Sequence, residues 1–264
     1  MKMKLWVILL LCLLVVCGAV FAVYFIGRDT TEVHPLMQQA EVYRNGGKSL
    51  PYRIYVPENY DPAQELPLVL YLHGSGSRGR DNRAQAPPGS PFLRTLLSDE
   101  NLQKYPCIVL APQCPKNQRW NEAVDFDRDR IPDNEAAVMG LLEQVCARYP
   151  VDSARIYITG VSMGGHGTWG MLRAYPDYFA AGVPICGGGD LKSARLLLDI
   201  PIWAFHGALD DVVPAELNRD MAEAMQAMGG NVKYTEYPEE GHGIAERVYS
   251  EPALFPWLFS QVKN

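Results

Sequence analysis

The sequence contains no Cys-x-x-Cys pair and no Cys/His cluster, and its five histidines are scattered. That excludes a structural zinc site of the usual spacing. There is no surplus of basic charge: 24 Lys and Arg stand against 30 Asp and Glu, a net charge of −6. The basic surface that a phosphate backbone demands is missing, so nucleic acid is excluded as a partner. Beyond residue 30 there is no internal repeat and no low-complexity tract. At 264 residues the chain is too long for a disulfide-stapled miniature domain. With 48% hydrophobic and 20% charged residues it is too apolar for a disordered one.

Charge is also missing from Leu5 to Ile26, a run of 22 residues that follows Lys2 and Lys4 and ends before Arg28 and Asp29. A helix of about 20 apolar residues spans a bilayer. A secretory signal has a shorter apolar core and a small-residue cleavage site, for which Val20-Phe21-Ala22 would serve. Residues 1–28 are therefore expected to be a signal or a membrane anchor, with any membrane attachment through residues 5–26. Both readings export the rest of the chain, to the periplasm, the exterior or the outer side of a membrane, as the leading lysines also indicate. Four cysteines remain in the exported part: Cys107, Cys114, Cys146 and Cys186. Export permits disulfides, but Cys107 and Cys146 sit in apolar strand-like and helix-like patterns and are read as buried thiols.

Residues 35–264 are read as a single domain. Residues 40–44 and 52–56 flank Asn45-Gly46-Gly47, a hairpin signal. Short apolar runs follow at 66–72, 107–111, 155–158, 180–185, 201–205 and 232–237, the pattern of buried parallel strands. Helical spacing fills 134–148, 163–174, 215–228 and 246–258. The alternation predicts an α/β fold, a mostly parallel sheet with helices on both faces. Residues 75–105 and 112–132 are left as long irregular stretches.

Gly160-Val161-Ser162-Met163-Gly164 directly follows one strand-like run and opens a helix. A nucleophilic serine needs that tight turn, and the glycines two before and two after it must approach each other closely. The Met163 N–H and the helix dipole then face a developing oxyanion. A serine also needs a base and an acid to orient that base, following it in the order Ser, acid, His. His242, in Gly241-His242-Gly243 after the last strand, is the chosen base. His34, His166 and His206 are read as ordinary hydrogen-bonded residues. Asp210 is the chosen acid, Asp211 the alternative and Asp190 a third candidate. A second oxyanion donor is expected from the Ser75 N–H in His73-Gly74-Ser75-Gly76, with His73 bracing the loop.

Taken together, these pieces resemble the α/β-hydrolase superfamily, in its carboxylesterase, dienelactone-hydrolase and prolyl-oligopeptidase-like "predicted peptidase" group. The matching segments are Leu72–Gly79, Ala111–Pro115 with Trp120, Gly160–Gly165 with Gly167-Thr168-Trp169, Val183–Asp190, His206-Gly207-x-x-Asp210 and Gly241-His242. The resemblance runs over residues 40–262. It implies an α/β-hydrolase fold, a Ser162–Asp210–His242 triad and oxyanion amides at Ser75 and Met163. Asp211 stands where such proteins often carry proline. The implied strand order separates the Cys114 and Cys186 strands by three spacings, roughly 14 Å, so a disulfide between them would need their loops to bend together.

The expected activity is hydrolysis of a carboxylic ester through an acyl-enzyme, with no cofactor and no metal. Its substrate would be a small-molecule or carbohydrate-linked ester, such as an acetyl or feruloyl group on polysaccharide. Trp120 and the Arg78–Arg94 loop are candidate site walls. The competing readings are a serine peptidase, an acyltransferase or a non-enzymatic protein that retains the fold.

Overall fold

The computed structural model describes residues 32–58, 60–61, 63–121 and 133–263. The signal or anchor expected within residues 1–28 lies outside them. No helix among the described residues is long and apolar enough to cross a membrane.

Eight strands form one sheet: β1 (Gln39–Asn45), β2 (Lys48–Tyr55), β3 (Leu66–Leu72), β4 (Ile108–Pro112), β5 (Val151–Val161), β6 (Ala181–Ile185), β7 (Ile202–Gly207) and β8 (Val232–Tyr237). Their order is β1-β2-β4-β3-β5-β6-β7-β8. β2 runs antiparallel to β1 and β4, and every other pairing is parallel. Gly46 and Gly47, at φ 56° and 78°, make the two-residue turn between β1 and β2. A turn with positive φ at both central residues matches the strand twist and strongly favours glycine. This is the mostly parallel α/β architecture expected from the alternation.

Seven α-helices join the described strands: α1 (Pro91–Leu96), α2 (Asp99–Lys104), α3 (Asp133–Arg148), α4 (Met163–Ala174), α5 (Glu216–Ala227), α6 (Ala245–Tyr249) and α7 (Leu254–Phe259). Alternate residues of each strand point to opposite faces. On β3, Leu68, Leu70 and Leu72 enter a core with Leu141, Leu142 and Val145 of α3, Trp169 and Leu172 of α4, and Met221 and Met225 of α5. Val69 and Tyr71 enter a second core with Phe92 and Leu96 of α1, Tyr249 of α6 and Phe255 and Leu258 of α7. Strands buried on both faces read as unbroken apolar runs for this reason.

Two expectations need correction. The stretch 75–105 is not wholly irregular, because it holds α1 and α2. Ser90 caps α1 by accepting the Leu93 N–H, with Pro91 at the first helical position, and Ser98 caps α2 from the Asn101 N–H. The expected single helix at 246–258 is two short ones, α6 and α7, broken at Pro252. Proline has no N–H and its ring clashes with the preceding turn. Pro256 is tolerated because it stands in the first turn of α7, where an N–H has no intrahelical acceptor.

The chain leaves β3 first to β4 on one side, then returns to β5 on the other. Such a switch of direction opens a crevice at the carboxyl ends of the strands.

Candidate active site

Ser162 stands between β5 and α4 at φ 58°, ψ −116°. A non-glycine residue held there costs of order 1–3 kcal/mol and persists only when its surroundings enforce it. The Ser162 N–H donates to Ile185 O at 2.8 Å, and its carbonyl accepts the His166 N–H at 3.0 Å. The flanking glycines are steric necessities. A Cβ on Gly164 would lie 1.8 Å from Leu72 O, and one on Gly160 would lie 2.4 Å from Gly164 O. The start of α4 is therefore pressed onto the backbone of β3 and β5, and Ser162 projects half-exposed from the turn.

The loop after β3 runs beside this serine. A Cβ on Gly74 would lie 3.9 Å from Ser162 Cβ. Ser75 opens the short 3-10 turn Ser75–Ser77, and Met163 opens α4. As first residues of helical turns, both have N–H groups with no acceptor within their own turn. His73 holds the loop in place. Its Nε2 accepts the Cys114 N–H at 3.0 Å, so Nδ1 carries the proton and donates to Gly74 O at 2.7 Å. Burial pushes His73 down to about 4, which keeps the ring neutral. Trp120 Nε1 donates to His73 O at 2.9 Å. Trp120 is buried and packs under α4, so it is not a wall of the site.

The loops after β7 and β8 are tied together. Ala208 N–H donates to Tyr237 O and Leu209 N–H to Glu240 O, both at 2.9 Å. A Cβ on Gly207 would lie 2.3 Å from Gly241 O. This junction brings Asp210 to His242: His242 Nδ1 donates to Asp210 Oδ2 at 2.7 Å. In the neutral ring this bond makes Nε2 the nitrogen that can accept a proton. Asp210 Oδ1 accepts the Val212 and Val213 N–H groups at 2.9 and 2.8 Å. Burial pushes the Asp210 carboxyl upward, but these amides and His242 more than offset it and hold the group below the ordinary value. Asp211 is exposed, and Asp190 caps the 3-10 helix Leu191–Leu196 by accepting the Lys192 N–H. No hydrogen bond joins Ser162 Oγ to His242 among the described residues; such contacts are often long before substrate arrives.

His206 is the buried, hydrogen-bonded residue that the sequence reading expected, and it also reaches the candidate acid. Its side chain is fully buried, and Nε2 lies 3.0 Å from Val213 O and 3.2 Å from Asp210 Oδ2. Both neighbours are acceptors, so Nε2 carries the proton and Asp210 Oδ2 lies between two histidines. The buried Nδ1 has no hydrogen-bond partner among the described residues. Burial lowers the His206 pKa. The only signal in the sequence was the His-Gly-x-x-Asp spacing.

Cys186 Sγ, a His206 ring nitrogen and an Asp210 carboxylate oxygen lie within 4.8 Å of one another, a spacing at which a metal ion would fit. Their chemistry is otherwise committed. Asp210 already accepts three short hydrogen bonds and the longer contact from His206, and burial, with the Asp210 charge, pushes the Cys186 thiol up to about 12. Cys107, Cys146 and Cys186 are free thiols; Cys107 is buried, as its strand-like pattern suggested, whereas Cys146 is half-buried.

Ser162, Met163 and Ser75 share one cleft of about 480 Å³ with Arg78, Arg119, Asn121, His166 and the stretch Val212–Pro214, closed by Leu217. From the Arg78–Arg94 loop, Arg78 alone reaches it. Arg119, Asn121 and Leu217 had no sequence signal.

Comparison with known proteins identifies the family. Residues 55–251 match the Phospholipase/Carboxylesterase family. The chain is 25% identical over 170 residues to a bifunctional acetylxylan esterase/xylanase of Neocallimastix patriciarum, covering 64% of this chain and 23% of that protein. It thus spans less than a quarter of that relative's length. It is 26% identical over 223 residues to a probable carboxylesterase of Oryza sativa subsp. japonica, covering 76% of this chain and 80% of that one. The crystal structure of a thermostable esterase superposes with a TM-score of 0.80 at 36% identity, over 87% of this chain and 64% of that chain. With its mostly parallel sheet and the switch point at β3, the chain belongs to the phospholipase/carboxylesterase family of α/β-hydrolases.

Proposed function

We propose that the protein is a serine hydrolase that cleaves carboxylic esters through an acyl-enzyme. The observation that carries this reading is the buried Asp210 carboxylate accepting from His242 Nδ1 at 2.7 Å, at the same end of the sheet where strained Ser162 stands. In this mechanism His242 Nε2 removes the Ser162 proton as Oγ attacks the ester carbonyl carbon. Asp210 holds the imidazole in the tautomer that leaves Nε2 free and stabilises its cation. The Ser75 and Met163 N–H groups take the oxyanion, each worth roughly 2.7–4 kcal/mol of barrier. His242 then protonates the departing alkoxide, and the bond between carbonyl carbon and ester oxygen breaks. Water, activated by the same histidine, cleaves the acyl-Ser162 and restores the hydroxyl.

The substrate class proposed is a small or carbohydrate-linked ester, including acetyl groups on polysaccharide. The resemblance to the acetylxylan esterase/xylanase supports it. An exported catalytic unit belongs to the same proposal, and the uncharged run Leu5–Ile26 behind Lys2 and Lys4 supports it.

The test compares the full chain with Ser162→Ala on p-nitrophenyl acetate and butyrate, methyl ferulate, acetylated xylan and a peptide anilide. Ester turnover is expected to fall by at least ~10⁴-fold in the variant, since removing such a nucleophile costs up to about 10⁶ in rate. Turnover of the anilide at rates comparable to the esters would favour a peptidase. Equal turnover by both proteins would overturn the proposed triad.

A further inference from the structure

The cleft beside Ser162 is lined by two unlike sets of residues: Arg78, Arg119 and Asn121 from the loops after β3 and β4, and Val212, Val213, Pro214 and Leu217 from the segment after β7. No carboxylate lines the cleft among the described residues. Arg94, Arg148, Arg155, Arg173, Arg219 and Arg247 each pair with an acidic side chain. Arg78 and Arg119 pair with none among the described residues. The half-buried Arg78 instead donates from Nε to Met163 Sδ at 3.2 Å, a weak acceptor. Two guanidinium groups without an acidic partner among the described residues thus line the cleft of the candidate nucleophile. The segment after β7 is apolar and exposed, with Val212 63% and Leu217 42% accessible.

We propose that the cleft selects esters carrying a carboxylate on one side of the scissile bond and an alkyl or aryl group on the other. The carboxylate is held by Arg78 and Arg119, and the apolar group lies on Val212, Val213, Pro214 and Leu217. A planar guanidinium fork matches a carboxylate in geometry and charge, and a cleft with one sign of charge concentrates the opposite ion. The inference rests on Ser162 being the nucleophile of an esterase and adds the charge of the substrate.

The test uses the full chain and two matched substrate pairs. In one, 4-butyryloxybenzoate against its methyl ester, the carboxylate lies on the alcohol side. In the other, ethyl hydrogen adipate against diethyl adipate, it lies on the acyl side. Each kcat/KM is divided by the substrate's alkaline hydrolysis rate. At least one pair is expected to show about tenfold preference for the anion. That preference is expected to fall severalfold between 0.02 and 0.5 M NaCl. It is expected to shrink to near unity in Arg78→Gln/Arg119→Gln. Arg119→Gln alone, at an exposed position, is expected to lose a large part of it. Arg44→Gln, exposed on β1, removes an equal charge elsewhere and is expected to keep it. Equal rates for acid and neutral ester in both pairs, or a preference that survives the double variant, would overturn the inference while leaving the esterase reading intact. No turnover of any of the four esters, with Ser162 unreactive toward a fluorophosphonate, would instead overturn the esterase reading.

Discussion

The core under α3, α4 and α5 and the core under α1, α6 and α7 draw alternate residues from the same strands, yet they are built differently. The first holds the candidate nucleophile's helix and keeps polar groups inside. Glu135 of α3 is fully buried with Arg173 of α4 at 3.4 Å, and Asn218 of α5 accepts from Trp169 Nε1 at 2.7 Å. Its backbones touch where α4 meets β3. The second core is aromatic. Tyr71 stacks on Phe92 at 4.6 Å, Phe92 meets Tyr249 at 5.1 Å, and Trp203 stacks on Phe205 at 4.9 Å and meets Trp257 edge-on at 5.4 Å. Close backbone contact at Gly160 and Gly164 holds the Ser162 turn and leaves no room for an added atom. Large rings bury much area and pack in several arrangements. One face supplies geometry and the other supplies mass.

Substitutions on each face separate these contributions. Gly164→Ala has the largest expected effect. Its methyl would meet the Leu72 carbonyl oxygen, which no rotamer change relieves, so loss of more than about 4 kcal/mol or failure to fold is expected in urea denaturation. Phe92→Ala on the aromatic face should cost about 3–5 kcal/mol. At a temperature where it stays folded, its ester kcat/KM should lie within about twofold of the parent, because α1 does not border the cleft. A tenfold fall in its activity would break the division between the faces.

A smaller effect is expected from Glu135→Gln. Burial pushes the Glu135 carboxyl up to about 7, against the ordinary 4.5. A carboxyl whose pKa is raised on folding binds its proton more tightly in the native state. Its stability contribution is therefore full below about 4.5 and is lost as pH rises through about 7. Over that window wild type should lose about 3 kcal/mol at this site, at ~1.4 kcal/mol per pKa unit. Glu135→Gln should lack that loss, so the stability difference between the two proteins should change by this amount between pH 5 and pH 8. An unchanging difference would mean that the Arg173 contact holds Glu135 ionised throughout.

Local signals made most of this fold legible. Buried parallel strands are apolar on both faces, so β3 and β4 stand out as continuous runs. Gly160-Val161-Ser162-Met163-Gly164 stands out because its glycines answer a steric demand within five residues. The short helices α1 and α2 escaped detection although Ser90-Pro91 and Ser98-Asp99 are caps, because six residues are too few to show a 3.6-residue period. His206 was read as an ordinary hydrogen-bonded residue because nothing local shows that its ring faces the Asp210 carboxylate.

The strand segments, the sharp turns and the serine on a strained turn could all be read from the residues alone. These depend on neighbours within a few residues. The meeting of Asp210 rather than Asp211 with His242, the packing of Trp120 beneath the site and the shared cleft of Arg78, Arg119 and Ser162 became visible in three dimensions alone. Those outcomes depend on loops from β3, β4, β5, β7 and β8 converging at one end of the sheet. The direction of a single side chain there is set by contacts between residues tens to more than a hundred positions apart.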